Sequence, residues 1–447
     1  MEALTLHRPT DLLDENFLHD IKARLLACGA SDASVSIRMN RSFGTGVRNG
    51  EFENADHEED CVLGLRAFVG QRSAGISTND PSPSVIETLV DRVVRMATLA
   101  SEDKFGGLPE SSLLAPAGSN ETLELADPTE PNMVEMEDSA RELESYALAV
   151  EGVTESRGAM VGWTRSESRL VGSNGLSQHS RRTFHNAQVG VIAGAGDGRE
   201  TSGFEHRAHW RADMLALAEI GARAGQYAVE KLGSRKVESG RAPVIFDRRV
   251  AFSLFSSFLD AISGTGIYHK QTYLPDALGT QLFPEGLTLL EDPFEKRGHA
   301  SRITDSEGMA PFKGAIVENG VVRTLLISFY DGRRLQLPPT GHSGGTSNLM
   351  VMPGMLDRAA LMREAGRGLI VTGIMGSSGN PATGDFSMGV SGLWFENGEI
   401  VYPVSESTIA GNFKELFGEI VVGSDIERLR ANNSPSILVP PLAMGGK

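Results

Sequence analysis

Cysteine is nearly missing from this chain: Cys28 and Cys61 are the only two in 447 residues. They could form one bridge at most, so a disulfide scaffold is excluded and a reducing, cytoplasmic setting is expected. Long apolar runs are missing as well, and no stretch approaches the roughly 18 residues that span a bilayer. The N-terminus carries Glu2, Asp11, Asp14 and Glu15 and no apolar core of a secretion signal. Basic charge is in deficit, with 42 Lys and Arg against 58 Asp and Glu and a formal charge of −16. A protein that reads phosphates normally carries a basic face, so nucleic acid is not expected as a direct partner.

Turn chemistry, by contrast, is abundant. Asn-Gly occurs at 49–50, 174–175, 319–320 and 397–398, each time between alternating apolar and polar residues. Both residue types accept the positive φ of a two-residue hairpin turn, which predicts a chain rich in antiparallel sheet. The last pair sits in TGDFSMGVSGLWFENGEIVYPVSESTIAGNF, residues 383–413, a predicted hairpin with an aromatic, half-buried face. Helical periodicity marks residues 14–28, 83–100, a stretch with Leu143, Ala147 and Val150, and 211–232.

Helix, extended meander, helix therefore occurs twice, at 14–100 and 133–232, separated by a Gly-, Pro- and acid-rich surface connection over 101–132. The fold class is α+β. An N-terminal α+β domain with this pseudo-repeat is expected over 1–235, ending at the linker GSRKVESGRAP. A mainly antiparallel β sandwich or barrel is expected over 240–447, with helices near 247–262 and 355–366.

Candidate chemistry is sparse. Gly341-His342-Ser343-Gly344-Gly345 matches G-x-S-x-G, but a nucleophile elbow needs a strand before the serine and a helix after it. Pro338-Pro339 and Thr346-Ser347-Asn348 suit neither, so a polar glycine loop is expected. His206 and His209 are three apart on a predicted strand, face opposite sides and would not share a metal. The other histidines show no H-E-x-x-H spacing and no cysteine partner. The glycine runs 194–198 and 264–266 lack phosphate-cradle spacing. Asp305 and Glu307 in TDSEG, and Asp385 in TGDFS, are carboxylates in polar loops, open to acid–base work or to turn capping.

The segments APVIFD (242–247), DSEG (305–308), TGHSGG (340–345), GLIVTGIMG (368–376), TGDFS (383–387) and ENGEIVYPVSESTIAGN (396–412) together resemble the TldD/PmbA family. That family was formerly described as modulators of DNA gyrase and is now described as components of a metalloprotease; the PmbA branch, also called TldE, is the nearer match. The resemblance makes residues 383–413 a signature of the fold and of an interior groove.

It also implies a comparison with the TldD branch, where an HExxxH motif follows the equivalent of APVIF and a cysteine near the C-terminus adds a zinc ligand. The corresponding positions here resemble Ser256, Ser257 and Ala261, with Ser434 where the cysteine would stand. Hydroxyl and methyl groups do not replace N, S or carboxylate donors, so this chain is expected to bind no metal, and zinc is expected in a TldD-like partner. The resemblance implies a non-catalytic subunit that pairs with that partner and helps to hold an unstructured peptide. Two alternatives stand beside it: an autonomous homodimeric hydrolase using Asp305, Glu307 and His342, and a regulatory binding protein acting on gyrase.

Overall fold

Three of the four Asn-Gly pairs form the tight turns that their chemistry dictates. Asn49, Asn319 and Asn397 have φ of 55°, 48° and 53°, and the glycine after each is also positive. Arg48 thus faces Glu51, Glu318 faces Val321, and Glu396 faces Glu399. At Asn174-Gly175 only the glycine is left-handed, and a bond from the Gly172 N–H to the Leu176 carbonyl closes a wider loop. The computed structural model describes residues 12–446. Glu2 and Asp11 of the N-terminal segment, and His7 among the other histidines, lie outside the described residues.

Two helix–meander–helix units build one sheet. The first comprises α1 (Glu15–Ala27), β1 (Asp32–Arg48), β2 (Glu51–Val69), β3 (Arg72–Thr78) and α2 (Pro83–Leu99). After the short β4 (Gly118–Ser119), the second comprises α3 (Met133–Leu148), β5 (Val153–Gly172), β6 (Ser177–Ala193), β7 (Glu200–Ala208) and α4 (Leu217–Val229). They join where β1 and β5 pair antiparallel, giving the order β3-β2-β1-β5-β6 with β4 and β7 both bonded to β6.

Strand alternation sends Val35, Ile37, Leu63 and Leu65 toward α1 and α2, and Ala159, Ala187, Val189 and Val191 toward α3 and α4. One face of the sheet is thereby sealed, and the other is left for polar residues.

Two expectations change. The helix expected from about 211 begins at Leu217, because Arg211–Asp213 is a separate 3-10 turn and the Leu215 N–H is donated to His206 Nδ1 at 3.2 Å. The 101–132 connection is packed rather than purely superficial: Leu123 and Leu125 are buried, and Leu114 bridges to Met309 in the C-terminal half.

The C-terminal half contains β8 (Gly240–Phe246), β9 (Leu289–Asp292), β10 (Gly314–Glu318), β11 (Val321–Val322), β12 (Asn348–Val351), β13 (Arg367–Gly379), β14 (Asp385–Glu396), β15 (Glu399–Asn412), β16 (Val421–Val422), β17 (Asn432–Asn433) and β18 (Ile437–Gly445). Its helices are α5 (Phe252–Ala261), α6 (Gly264–Tyr268), α7 (Phe329–Leu335), α8 (Arg358–Ala365) and α9 (Phe413–Leu416).

Strands β15-β14-β13-β8-β18 form a barrel, closed where Thr408–Ala410 of β15 meet Ala443–Gly445 of β18. A second sheet, β11-β10-β9-β12-β17, packs beside it around a shared core in which Phe255 and Phe258 of α5 meet Phe283 and Phe417. Charges stitch the halves together: Arg249 binds Asp247 at 2.9 Å and Glu230 at 3.1 Å, and Arg223 and Arg248 share Glu427.

Candidate functional site

Helix α5 has one apolar face, formed by Leu254, Phe255 and Phe258, which anchors it in the core. The fourfold spacing of Phe252, Ser256 and Asp260 places these three together on the opposite side. They form one wall of an open groove of about 580 Å³, completed by Ser328, Tyr330 and Asp331 at the start of α7 and by the loop from His342 to Thr346. No residue of the 383–413 signature lines this groove, so that stretch belongs to the barrel instead.

Asp305, Glu307 and His342 come together here, and each is engaged with loop structure. Asp305 is 4% exposed; its Oδ1 accepts the backbone N–H groups of Glu307 and Met309 at 2.9 Å each, and its Oδ2 that of Ser343 at 3.2 Å. Glu307 accepts the N–H groups of Phe329 at 2.8 Å and Tyr330 at 3.3 Å, at the beginning of α7. His342 Nε2 lies 2.9 Å from Glu291 Oε2, its Nδ1 lies 2.7 Å from the Thr340 hydroxyl, and the other oxygen of Glu291 accepts from Ser347.

Two carboxylates and a histidine thus tie together segments 22 to 51 residues apart in sequence. Ser343 lies in an irregular loop with positive φ at Gly341, Gly344 and Gly345, with no strand before it and no helix after. Asp385 is elsewhere: it is exposed and accepts from the Thr383 hydroxyl at 2.7 Å and the Asn412 amide at 2.8 Å, capping its own turn.

Of the four positions compared with the zinc motif, Ser256 lines the groove, Ser257 shares a 3.2 Å hydrogen bond with Tyr273, and Ala261 is buried in the core. Ser434 lines a second cavity of about 370 Å³. The two cavities adjoin, since Phe252 and Asn432 line both. His206 and His209 serve different partners: His206 accepts from Leu215, and His209 lies against the carbonyls of Thr183 and Gly298. Burial pushes His209 and His299 down to about 4.

Burial raises Asp305 above its ordinary range against the pull of its three N–H donors, and burial followed by the nearby Asp305 charge raises Glu307. A carboxyl whose folded pKa lies above its unfolded one holds more protons when folded. Its contribution therefore declines as pH rises from the usual glutamate range through the raised value, and levels off above it. Glu307→Gln removes this titration. Its melting temperature relative to the parent is expected to improve steadily across that window, measured by thermal scans at several pH values; a pH-independent offset between the two proteins would contradict the shift.

Sequence inspection missed Asp260, whose signal was the four-residue spacing from Ser256, and it missed Glu291, which reads as an ordinary strand residue. Burial alone raises Asp260 above its usual range.

Comparison with known proteins matches residues 33–97 to the PmbA/TldA metallopeptidase domain 1, 124–232 to the central domain and 239–446 to the C-terminal domain. The chain is 34% identical to "Metalloprotease PmbA" of Escherichia coli O157:H7 over 94% of both chains. It is likewise 34% identical to the "Metalloprotease PmbA homolog" of Haemophilus influenzae, over 94% of this chain and 93% of that one.

Among solved structures, a proposed modulator of DNA gyrase from Bacteroides thetaiotaomicron superposes with a TM-score of 0.91 at 24% identity, covering 97% of this chain and 100% of that one. TldE from Thermococcus kodakarensis superposes with 0.81 at 20% identity, covering 97% and 99%. These two share the fold. With three domain models in order along the chain and a relative 34% identical over nearly its full length, the chain belongs to the PmbA/TldD metallopeptidase family.

Proposed function

We propose that this chain is a PmbA/TldE-type subunit that binds no zinc itself, pairs in the cytoplasm with a TldD-like zinc-bearing partner, and holds unstructured peptides for cleavage at the partner's metal. The observation that carries this proposal is the absence of zinc donors at the positions that match the zinc motif. Ser256, Ser257, Ala261 and Ser434 offer hydroxyl and methyl groups where a zinc site needs N, S or carboxylate donors. Among the described residues no three His, Cys, Asp or Glu side chains are grouped so as to hold one metal ion. The metal that the family name implies therefore does not fit the residues present here.

The groove suits binding better than proton transfer, because the carboxylates of Asp305 and Glu307 are committed to backbone N–H groups. An autonomous hydrolase built on them would have to break its own loops. Among the described residues β7 pairs only with β6. Its outer edge adjoins the 370 Å³ cavity through Phe204 to Arg207, and an extended peptide can add to such an edge by backbone pairing.

Zinc per chain and cleavage of an unstructured peptide, each measured on the purified protein alone and co-purified with a zinc-bearing family member, test the proposal. Zinc and cleavage are expected only in the co-purified complex, and both should vanish on chelation. Stoichiometric zinc with cleavage by the isolated chain would overturn it.

A further inference from the structure

The polar face of the N-terminal sheet carries arginines that have no carboxylate to meet. Register places Arg182 of β6 opposite Ser166 of β5, which faces Asn40 of β1; Arg38 of β1 lies diagonally across the same small side chains, opposite Ser168. Two residues along β6 from Arg182, the Phe184 ring lies 4.0 Å beneath the guanidinium of Arg207 from β7. Arg302 closes the group from the C-terminal half; its Nη2 donates to the Gly345 carbonyl at the groove wall, and its buried Nε has no partner.

Among the described residues none of these four guanidinium groups comes within 4.0 Å of a carboxylate. The opposite face of the same strands behaves differently: Arg169 binds Glu15 at 3.1 Å and Arg181 binds Glu167 at 2.9 Å. Adjacent arginines, 181 and 182, are thus paired on one face and unpaired on the other. Glu205 shares the inner face near Arg207 without pairing, and Glu291 and Asp305 attract Arg302 only from a distance.

Of the four, Arg182 and Arg302 are part-buried while Arg38 and Arg207 are exposed; a part-buried guanidinium without a partner destabilises a fold unless a ligand answers it. Burial, then the charges of Arg38, Arg207 and Arg302, holds Arg182 below its ordinary range. In a chain of net charge −16, such a concentration of uncompensated positive charge is a local reversal beside the cavity that Arg207 also lines.

We infer that Arg38, Arg182, Arg207 and Arg302 form a binding site for carboxylates of an extended peptide, so that this subunit selects acidic, unstructured segments. The inference rests on the proposal that the adjoining groove holds peptide. Planar guanidinium forks match carboxylates in two-point hydrogen bonding, and β7 supplies the edge along which such a segment can lie.

Anisotropy of labelled peptides on the full chain tests this without any partner or cleavage, so its failure is separable from failure of the subunit proposal. Three probes are compared: a short unstructured Glu-rich peptide, its Gln counterpart, and a single-stranded oligonucleotide of equal charge. The Glu peptide is expected to bind at least about tenfold more tightly than the Gln peptide. Rising salt should weaken that preference.

The Arg182→Gln, Arg207→Gln double variant should abolish the preference while melting no lower than the parent, because it relieves like-charge repulsion. A merely structural role for these arginines would instead lower the melting temperature. Equal binding of the two peptides, a preference that survives in the variant, or tighter binding of the oligonucleotide would each overturn the inference.

Discussion

Gly392→Ala is expected to lower the melting temperature by at least about 10 °C or to prevent accumulation of soluble protein. A Cβ at this position would lie 1.8 Å from the Ile370 carbonyl oxygen and 2.9 Å from its carbon. Both atoms are backbone of the neighbouring strand, at a point where the β13–β14 register already shifts between Val371 and Gly373. Nothing there can rotate aside, so the strands must separate, and the closed barrel cannot accommodate the opening elsewhere.

Gly373→Ala is the matched control. Its Cβ would meet only the Ser391 hydroxyl, at 2.7 Å, and that group can turn away. Thermal scans of the two variants beside the parent should show a small loss for Gly373→Ala and a large one for Gly392→Ala. Equal, small losses would mean that the signature strands do not pack as described.

That contrast also marks what could be read from the sequence. Turns and alternation are local properties, so the Asn-Gly hairpins, the two helix–meander–helix units and the apolar faces of α1 to α4 were legible residue by residue. The choice between sandwich and barrel was not. It depends on three pairings between Thr408–Ala410 and Ala443–Gly445, which no short window contains.

The same limit applies to the groove. Asp305, Glu307 and His342 stood out because they are polar residues in glycine-rich loops, and the structure does gather them. Their work is to accept N–H groups or to pair across loops remote in sequence, and spacing cannot distinguish that from acid–base chemistry. Arg182 was invisible for a related reason. Neighbouring strand residues point to opposite faces, but only the registers with β5 and β7 reveal which face holds carboxylates and which holds more arginine.

Asp305→Ala should disorganise the groove, because Asp305 holds the Ser343 loop that forms part of its wall. The carboxylate satisfies three backbone donors, and alanine leaves all three unpaired, that of Met309 fully buried and those of Glu307 and Ser343 part-buried, at about 1–3 kcal/mol each before water relieves some of the loss. A net loss of roughly 3–5 kcal/mol corresponds to a fall of about 6–20 °C for a unit of roughly 200 residues.

Asp305→Asn keeps its one oxygen as acceptor for Glu307 and Met309 but turns its NH2, a donor, toward the Ser343 N–H. It should therefore fall between the parent and the alanine variant. The damage should also be local, with hydrogen exchange speeding up across residues 340–347 while the barrel strands keep their protection. Exchange and melting both unchanged in Asp305→Ala would remove Asp305 as the organiser of the groove.

The variant carries a second signature of opposite sign. Glu307 is raised partly by the charge of Asp305, so removing that charge lets Glu307 ionise at lower pH even as the loops loosen. The decline in stability that Glu307 imposes as pH rises should then be completed at lower pH in the alanine variant than in the parent. Loss of packing alone would shift the whole curve downward without moving that window.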